Sequence, residues 1–285
     1  MYETTVVGFD GSEYSRAALI DASKRAKIHG GKVVIVHAVY FDEEEFGIAP
    51  VQLEKRFELG NKLCTQTREK YNAEFGIELE TLVCQGEPPE IINTVARERG
   101  AGLIAMGTHG RRGIKRMIMG SVTASVIASS PCDVLVVKKP CSDCTGEYKS
   151  VLVAFDGSEN SKKALIKAGQ FAGENGGEVT VLYAMPRYEE MIGFMRTESI
   201  KKSMFDEAEK VVEVARKTAS ENGFSVATMV QEGSAADRVV DNALKLRKDL
   251  IVMGTFGWTG VNKAIMGSTT ERVIMNSPCP VLVVR

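Results

Sequence analysis

Apolar residues recur along the chain in short unbroken runs: TTVVGF, KVVIVHAV, LETLVC, GLIAMG and DVLVVK, then SVLVAF, EVTVLYAM, SVATMVQ, DLIVMG and PVLVVR. Because these runs lack a regular polar face, they predict strands covered on both sides rather than half-exposed ones. Between them lie stretches with helical spacing, of which SEYSRAALIDASKRAKIHG is the clearest. Strands alternating with helices read as βαβ units, and these build a parallel sheet with helices on both faces. The pattern therefore predicts an α/β fold of the doubly wound kind.

The pattern is written twice. VVGFDGSEYSRAAL aligns with VLVAFDGSENSKKAL, which sets Asp10 against Asp156. MGTHGRRGIKRMIMGSVTASVIASSPCDVLVV likewise aligns with MGTFGWTGVNKAIMGSTTERVIMNSPCPVLVV. This is a duplicated domain and not an array of short repeats. The expected domains span residues 1–140 and 149–285, with the turn-rich KPCSDCTGEYKS (139–150) between them. Each half also has one long connection, FDEEEFGIAPVQLEKR and PRYEEMIGFMRTESIKKS, expected to be a solvated loop or a lid. Met191, Phe194 and Met195 make the second of these the more apolar.

Composition changes this picture little but removes several functions. A length of 285 residues suits two domains, and 44% hydrophobic with 26% charged residues is ordinary for a folded chain in water. With 36 basic against 37 acidic side chains, no overall field draws a polyanion, so no nucleic-acid partner is expected. No run reaches the ~18 apolar residues that a membrane span needs. No basic stretch followed by a long apolar one opens the chain, so the expected location is cytoplasmic. Cys132 and Cys279 sit in matching SPC contexts and read as inert thiols. Cys141 and Cys144 have the spacing of half a zinc site or of a redox pair, but no second CxxC or nearby histidine completes four ligands, so a linker pair or a surface disulfide is expected.

Chemistry concentrates in MGTHGRRGIKRMIMGS, residues 106–121. The run follows the fourth strand and precedes SVTASVIAS (121–129), a helical stretch stopped by Pro131. Gly107 and Gly110 are expected to allow close backbone approach and positive φ at the carboxyl end of the sheet, where open α/β folds bind ligands. Gly120 and Ser121 open a helix whose free amides suit a phosphate. The alternative is turn glycines followed by a helix cap. Asp10 and Asp156 lie at the same edge, each either an acceptor for a ribose hydroxyl or a cap for the helix that starts near Ser12 or Ser158.

These residues resemble the universal stress protein family, in the branch marked by G-x-x-G-x9-G-[ST]. The likeness runs through VVGFDGS, VVIVHAV, LIAMGTHGRRG and MGSVTASVIASSPCDVLVV, and through the second copy as well. It implies two tandem domains, each a five-stranded parallel sheet of order 3-2-1-4-5, with an adenine nucleotide (ATP, ADP or AMP) at the carboxyl edge. Carried over by position, Asp10 would hold the ribose, Ala38 the adenine edge, and Met106 and Gly107 the sugar side, while Gly110, Gly120, Ser121 and Val122 would cradle the phosphates. The second copy supplies Asp156, Ala184, Met253, Gly254, Gly257, Gly267, Ser268 and Thr269. The first copy departs at Gly102, where the second has the acidic Asp249.

The expected function is a nucleotide-binding regulatory protein of the stress response, with a slow ATP hydrolase or phosphotransferase and a dimerising scaffold as alternatives. No G-x-x-x-x-G-K-[ST] loop is present and no residue is assigned to catalysis or to a protein metal site, with Mg2+ a further candidate beside the nucleotide. His109, whose counterpart is Phe256, lacks an aligned nucleophile. Arg111, Arg112, Lys115 and Arg116 lie between the later glycines of the first copy, against Lys263 alone in the second, so unequal sites are expected. Trp258 is expected to pack or to stack on a ligand. The family resemblance further implies pairing through the last strands, DVLVVK and PVLVVR, giving an internal pseudo-dimer or a homo-oligomer.

Overall fold

The computed structural model describes residues 2–40, 50–110, 119–138, 146–187, 198–255 and 267–285. The chain forms two compact units, Met1–Glu147 and Tyr148–Arg285. In the first, β1 (Thr4–Gly8), α1 (Glu13–His29), β2 (Lys32–Val39), α2 (Pro50–Phe75), β3 (Leu79–Gln85), α3 (Pro88–Glu98), β4 (Leu103–Gly107), α4 (Ser121–Ser129) and β5 (Asp133–Val137) follow in order. All strand pairs are parallel, and the order across the sheet is β3-β2-β1-β4-β5.

The second unit repeats this plan with β6 (Ser150–Ala154), α5 (Glu159–Glu174), β7 (Glu178–Met185), α6 (Glu198–Glu221), β8 (Ala227–Glu232), α7 (Ala235–Lys245), β9 (Leu250–Gly254), α8 (Ser268–Asn276) and β10 (Val281–Val284). Its strands run β8-β7-β6-β9-β10, again all parallel. Read from the first strand of each unit, both orders are 3-2-1-4-5, as the resemblance implied.

The unbroken apolar runs are explained by burial on two sides. Every residue of β4 and β5 is buried, as are Val6 and Val7 in β1 and Leu152 and Val153 in β6. In the first unit α1 packs against α2 and α3 against α4, which are the helix layers that right-handed crossovers place on opposite faces. Among the described residues no helix is long and apolar enough to cross a membrane.

Helix starts account for part of the long connections. Pro50 opens α2 and Glu198 opens α6, so residues 50–56 and 198–203 are helical and not loop. Proline suits a first helical position because its missing N–H has no partner there anyway. Met191, Phe194 and Met195 lie outside the described residues, as do Cys141 and Cys144. Tyr148, at the end of the expected linker, is fully buried, and its ring lies 6.0 Å from that of Phe171.

The amino edge of each sheet is closed differently. In the second unit the Asp249 carboxylate accepts from the backbone amides of Lys149 (2.8 Å) and Ser150 (3.0 Å), and burial raises its pKa against those bonds. In the first, a Cβ on Gly102 would fall 2.7 Å from the Tyr2 ring, whose hydroxyl donates to Asp133 at 2.6 Å. The departure at Gly102 is thus a phenol taking the space of the acid. Burial, reinforced by Asp133, keeps the Tyr2 hydroxyl protonated far above the usual tyrosine range.

Candidate functional site

The carboxyl ends of β1 and β4 carry the chemistry of the first unit. Gly11, with φ 82°, turns the chain between Asp10 and Ser12, and Ser12 caps α1 by accepting from the Ser15 amide at 3.2 Å. Asp10 Oδ1 accepts from the Ser12 amide at 3.0 Å. Ser12 is therefore the helix cap, and Asp10 sets the turn before it. Asp10 Oδ2 faces Gly110, where a Cβ would stand 2.8 Å from it.

The glycine loop returns on itself. Gly120 donates to the Thr108 carbonyl at 2.9 Å, and a Cβ on Gly120 would lie 3.2 Å from that oxygen and 3.9 Å from the Gly110 amide nitrogen. Asp10, Gly110 and Gly120, distant in sequence, thus form one corner. Gly120 is the N-cap of α4, and having no side chain it leaves the first-turn amides of Ser121, Val122 and Thr123 without a side-chain cap. Such a terminus combines free N–H donors with the positive end of the helix dipole.

Gly107 has another task. A Cβ there would stand 2.6 Å from the Tyr14 carbonyl carbon and 2.8 Å from the Ser15 nitrogen, so the missing side chain lets α1 lie against the end of β4. Neither Gly107 nor Gly110 has the positive φ expected from the sequence; in the turns that follow Asp10 and Asp156 it is Gly11 and Gly157 that adopt it. The carbonyl of Gly107 accepts from the buried Thr123 hydroxyl at 2.7 Å, fastening α4 to the strand. Thr123 went unremarked in the sequence, although a threonine two residues after the Gly-Ser pair occurs there and again at Thr270.

Met106 is buried in β4, and Ala38 is half-buried in β2 opposite Cys84. Beside Ala38, His37 donates from Nδ1 to the Phe9 carbonyl at 2.7 Å, tying the ends of β1 and β2 together. His109 is buried: its Nδ1 lies 3.1 Å from Thr108 Oγ1, and its ring centre is 5.1 Å from that of Tyr14. Arg111, Arg112, Lys115 and Arg116 fall outside the described residues.

The second unit has the same frame with different electrostatics. Asp156 Oδ1 accepts from the Ser158 amide at 3.0 Å, and Ser158 caps α5 through the Ser161 amide at 3.2 Å. Ala184 is half-buried in β7, and Met253 is buried in β9. A Cβ on Gly254 would meet Asn160 Cβ at 2.8 Å, and Thr270 donates to the Gly254 carbonyl at 3.4 Å. Gly267 caps α8 without a side chain, with Ser268 and Thr269 exposed after it. Glu271 then brings a carboxylate into the first turn of α8, where α4 has none. Tyr183 stands where the first unit has His37, and burial, then Glu207 and Asp156, raise its pKa. Gly257, Trp258, Phe256 and Lys263 lie outside the described residues.

The sequence profile of the universal stress protein family matches the chain twice, over residues 1–138 and 147–285. The chain belongs to the universal stress protein family. Universal stress protein MJ0531 of Methanocaldococcus jannaschii is 36% identical to it over 141 residues, which are 48% of this chain and 82% of that protein. A universal stress protein of Thermus aquaticus is 33% identical over 144 residues, 48% of this chain and 100% of its own. Among solved structures, a universal stress protein from Archaeoglobus fulgidus has the same fold, with a TM-score of 0.74 at 22% identity over 99% of this chain and 96% of that one. This universal stress protein is thus a tandem of two family units in one chain.

Proposed function

We propose that this universal stress protein binds one adenine nucleotide at the carboxyl edge of each unit and acts as a regulatory binding module. The observation that carries the reading is the corner formed by Asp10, Gly110 and Gly120 beside the uncapped start of α4. A carboxylate suits a ribose hydroxyl, and side-chain-free positions next to free helix amides suit phosphate oxygens. In this reading Ala38 borders the base, and Gly110, Gly120, Ser121 and Val122 hold the phosphates. Asp156, Ala184, Gly257, Gly267, Ser268 and Thr269 do the same in the second unit. Met106, Gly107, Met253 and Gly254 form the floor.

Catalysis is assigned to no residue. Among the described residues no group of three His, Cys, Asp or Glu side chains is arranged to hold a metal, so Mg2+ is given no protein ligand here. The proposal is tested by mass spectrometry of small molecules released from denatured protein, together with calorimetric titration of AMP, ADP and ATP. Wild type should take two nucleotides per chain, Gly120→Val and Gly267→Val one each, and the double variant none. Failure of all three nucleotides to bind wild type at millimolar concentration overturns the reading.

A further inference from the structure

At the carboxyl end of β2 the ladder with β1 stops one bond short. Gly86 donates to the Val39 carbonyl at 3.1 Å, so Val39 faces β3, and by alternation the main chain of Ala38 faces β1. The last bond on that side runs from the Phe9 amide to the Val36 carbonyl at 2.9 Å. The next would join the Ala38 amide to the Phe9 carbonyl. Among the described residues, however, neither the amide nor the carbonyl of half-buried Ala38 makes a hydrogen bond.

His37 takes the place of that missing bond. The Phe9 carbonyl can only accept, so Nδ1 of His37, 2.7 Å away, carries the proton and donates. A Cβ on Gly60 would lie 2.9 Å from His37 Cδ2 and 3.4 Å from Nε2, so the backbone of α2 lies against the ring and keeps it from swinging off Phe9. The second unit ends its ladder at the same point, with the Phe155 amide donating to the Leu182 carbonyl at 3.0 Å. Tyr183 stands there in place of the imidazole, and among the described residues no side chain donates to the Phe155 carbonyl. Nothing among them competes with the Ala184 amide for that oxygen.

We propose that His37 is a positioning residue that keeps the main-chain donor and acceptor of Ala38 open to the base in the first unit, and so sets that unit's selectivity for adenine. The inference rests on the reading that Ala38 borders the base. By occupying the Phe9 carbonyl, the imidazole prevents the Ala38 amide from closing one more ladder bond. The amide then donates to a ring nitrogen of adenine, and the carbonyl accepts from the neighbouring amino group. Hypoxanthine presents these two functions in reverse order, so its nucleotides are disfavoured. Because the Phe155 carbonyl is left to the Ala184 amide, the second unit discriminates less.

The test titrates the full-length Gly267→Val chain, in which only the first unit binds, with ADP and with inosine diphosphate. ADP should bind about tenfold or more the tighter of the two. His37→Phe keeps a ring without a donor, and should weaken ADP roughly five- to tenfold while changing inosine diphosphate less than about twofold. His37→Asn sets a carboxamide N–H near the position of Nδ1 and should restore the preference. An unchanged ratio in His37→Phe, or a loss shared equally by both nucleotides, overturns the proposal. Amide exchange followed by NMR in the nucleotide-free wild-type chain decides the matter if the variants fail to fold. There the Ala38 amide should exchange far faster than that of Val36, and equal protection of the two overturns the proposal as well. Failure of ADP to bind the Gly267→Val chain overturns the reading of the corner and this proposal with it, whereas the other results overturn the role of His37 alone.

Discussion

Replacing Gly107 by alanine tests whether that glycine serves the scaffold. The new Cβ would stand 2.6 Å from two Tyr14 atoms and 2.8 Å from the Ser15 nitrogen, and most of this is helix backbone. Restoring ordinary contact requires the start of α1 to retreat by about 0.8 Å, against its hold on Ser12 and Ser15. Overpacking of this kind costs roughly 1–3 kcal/mol. At ~2–4 °C per kcal/mol for a unit of this size, the melting midpoint of the first unit should fall by about 2–12 °C. Gly254→Ala meets backbone atoms only at 3.1 and 3.2 Å, with Asn160 Cβ at 2.8 Å, so its loss should be smaller. Differential scanning calorimetry of both variants without nucleotide provides the measurement. A Gly107→Ala midpoint within about 1 °C of wild type, or a larger drop in Gly254→Ala, refutes the packing argument.

Gly110→Ala should leave the melt nearly unchanged, because its close neighbour is the Asp10 carboxylate end and not backbone, yet ADP titration should show binding at the first unit weakened at least tenfold. Thr123→Val should cost about 1–2 kcal/mol by denaturant unfolding, through its 2.7 Å bond to Gly107, and Thr270→Val less through a bond of 3.4 Å. Glu271→Ala removes a carboxylate from the α8 terminus, and titration of the second unit should find nucleotide phosphate bound roughly two- to fivefold more tightly, with the gain shrinking as salt is added. Burial pushes the Cys279 thiol up to about 12, so iodoacetamide at neutral pH should label it only after unfolding. The folded chain keeps a proton that the unfolded chain releases near the ordinary thiol pKa. The Cys279 contribution to stability is therefore present at neutral pH and is lost as pH rises toward 12.

The strands were legible because two-sided burial leaves a signature that needs no partner to be recognised: LIAMG and DVLVV are apolar throughout and buried throughout. Helix α4 was legible to the residue, since Gly120 and Pro131 bracket SVTASVIAS. What the sequence concealed were contacts made across distance. Nothing beside Gly107 announces that Tyr14 will lie on it, so its role looked like ligand access. Positive φ was misplaced for the same reason, because glycine permits it without requiring it, and near Asp10 it is Gly11 and not Gly107 or Gly110 that uses it.

The phenol at the amino edge of the first unit has a practical meaning for anyone handling the protein. The second unit is latched there by an internal acid, Asp249, but its sibling depends on a side chain at position 2 reaching Asp133. Losing that phenol loosens the first lobe alone and produces a molecule whose two lobes no longer age alike in storage.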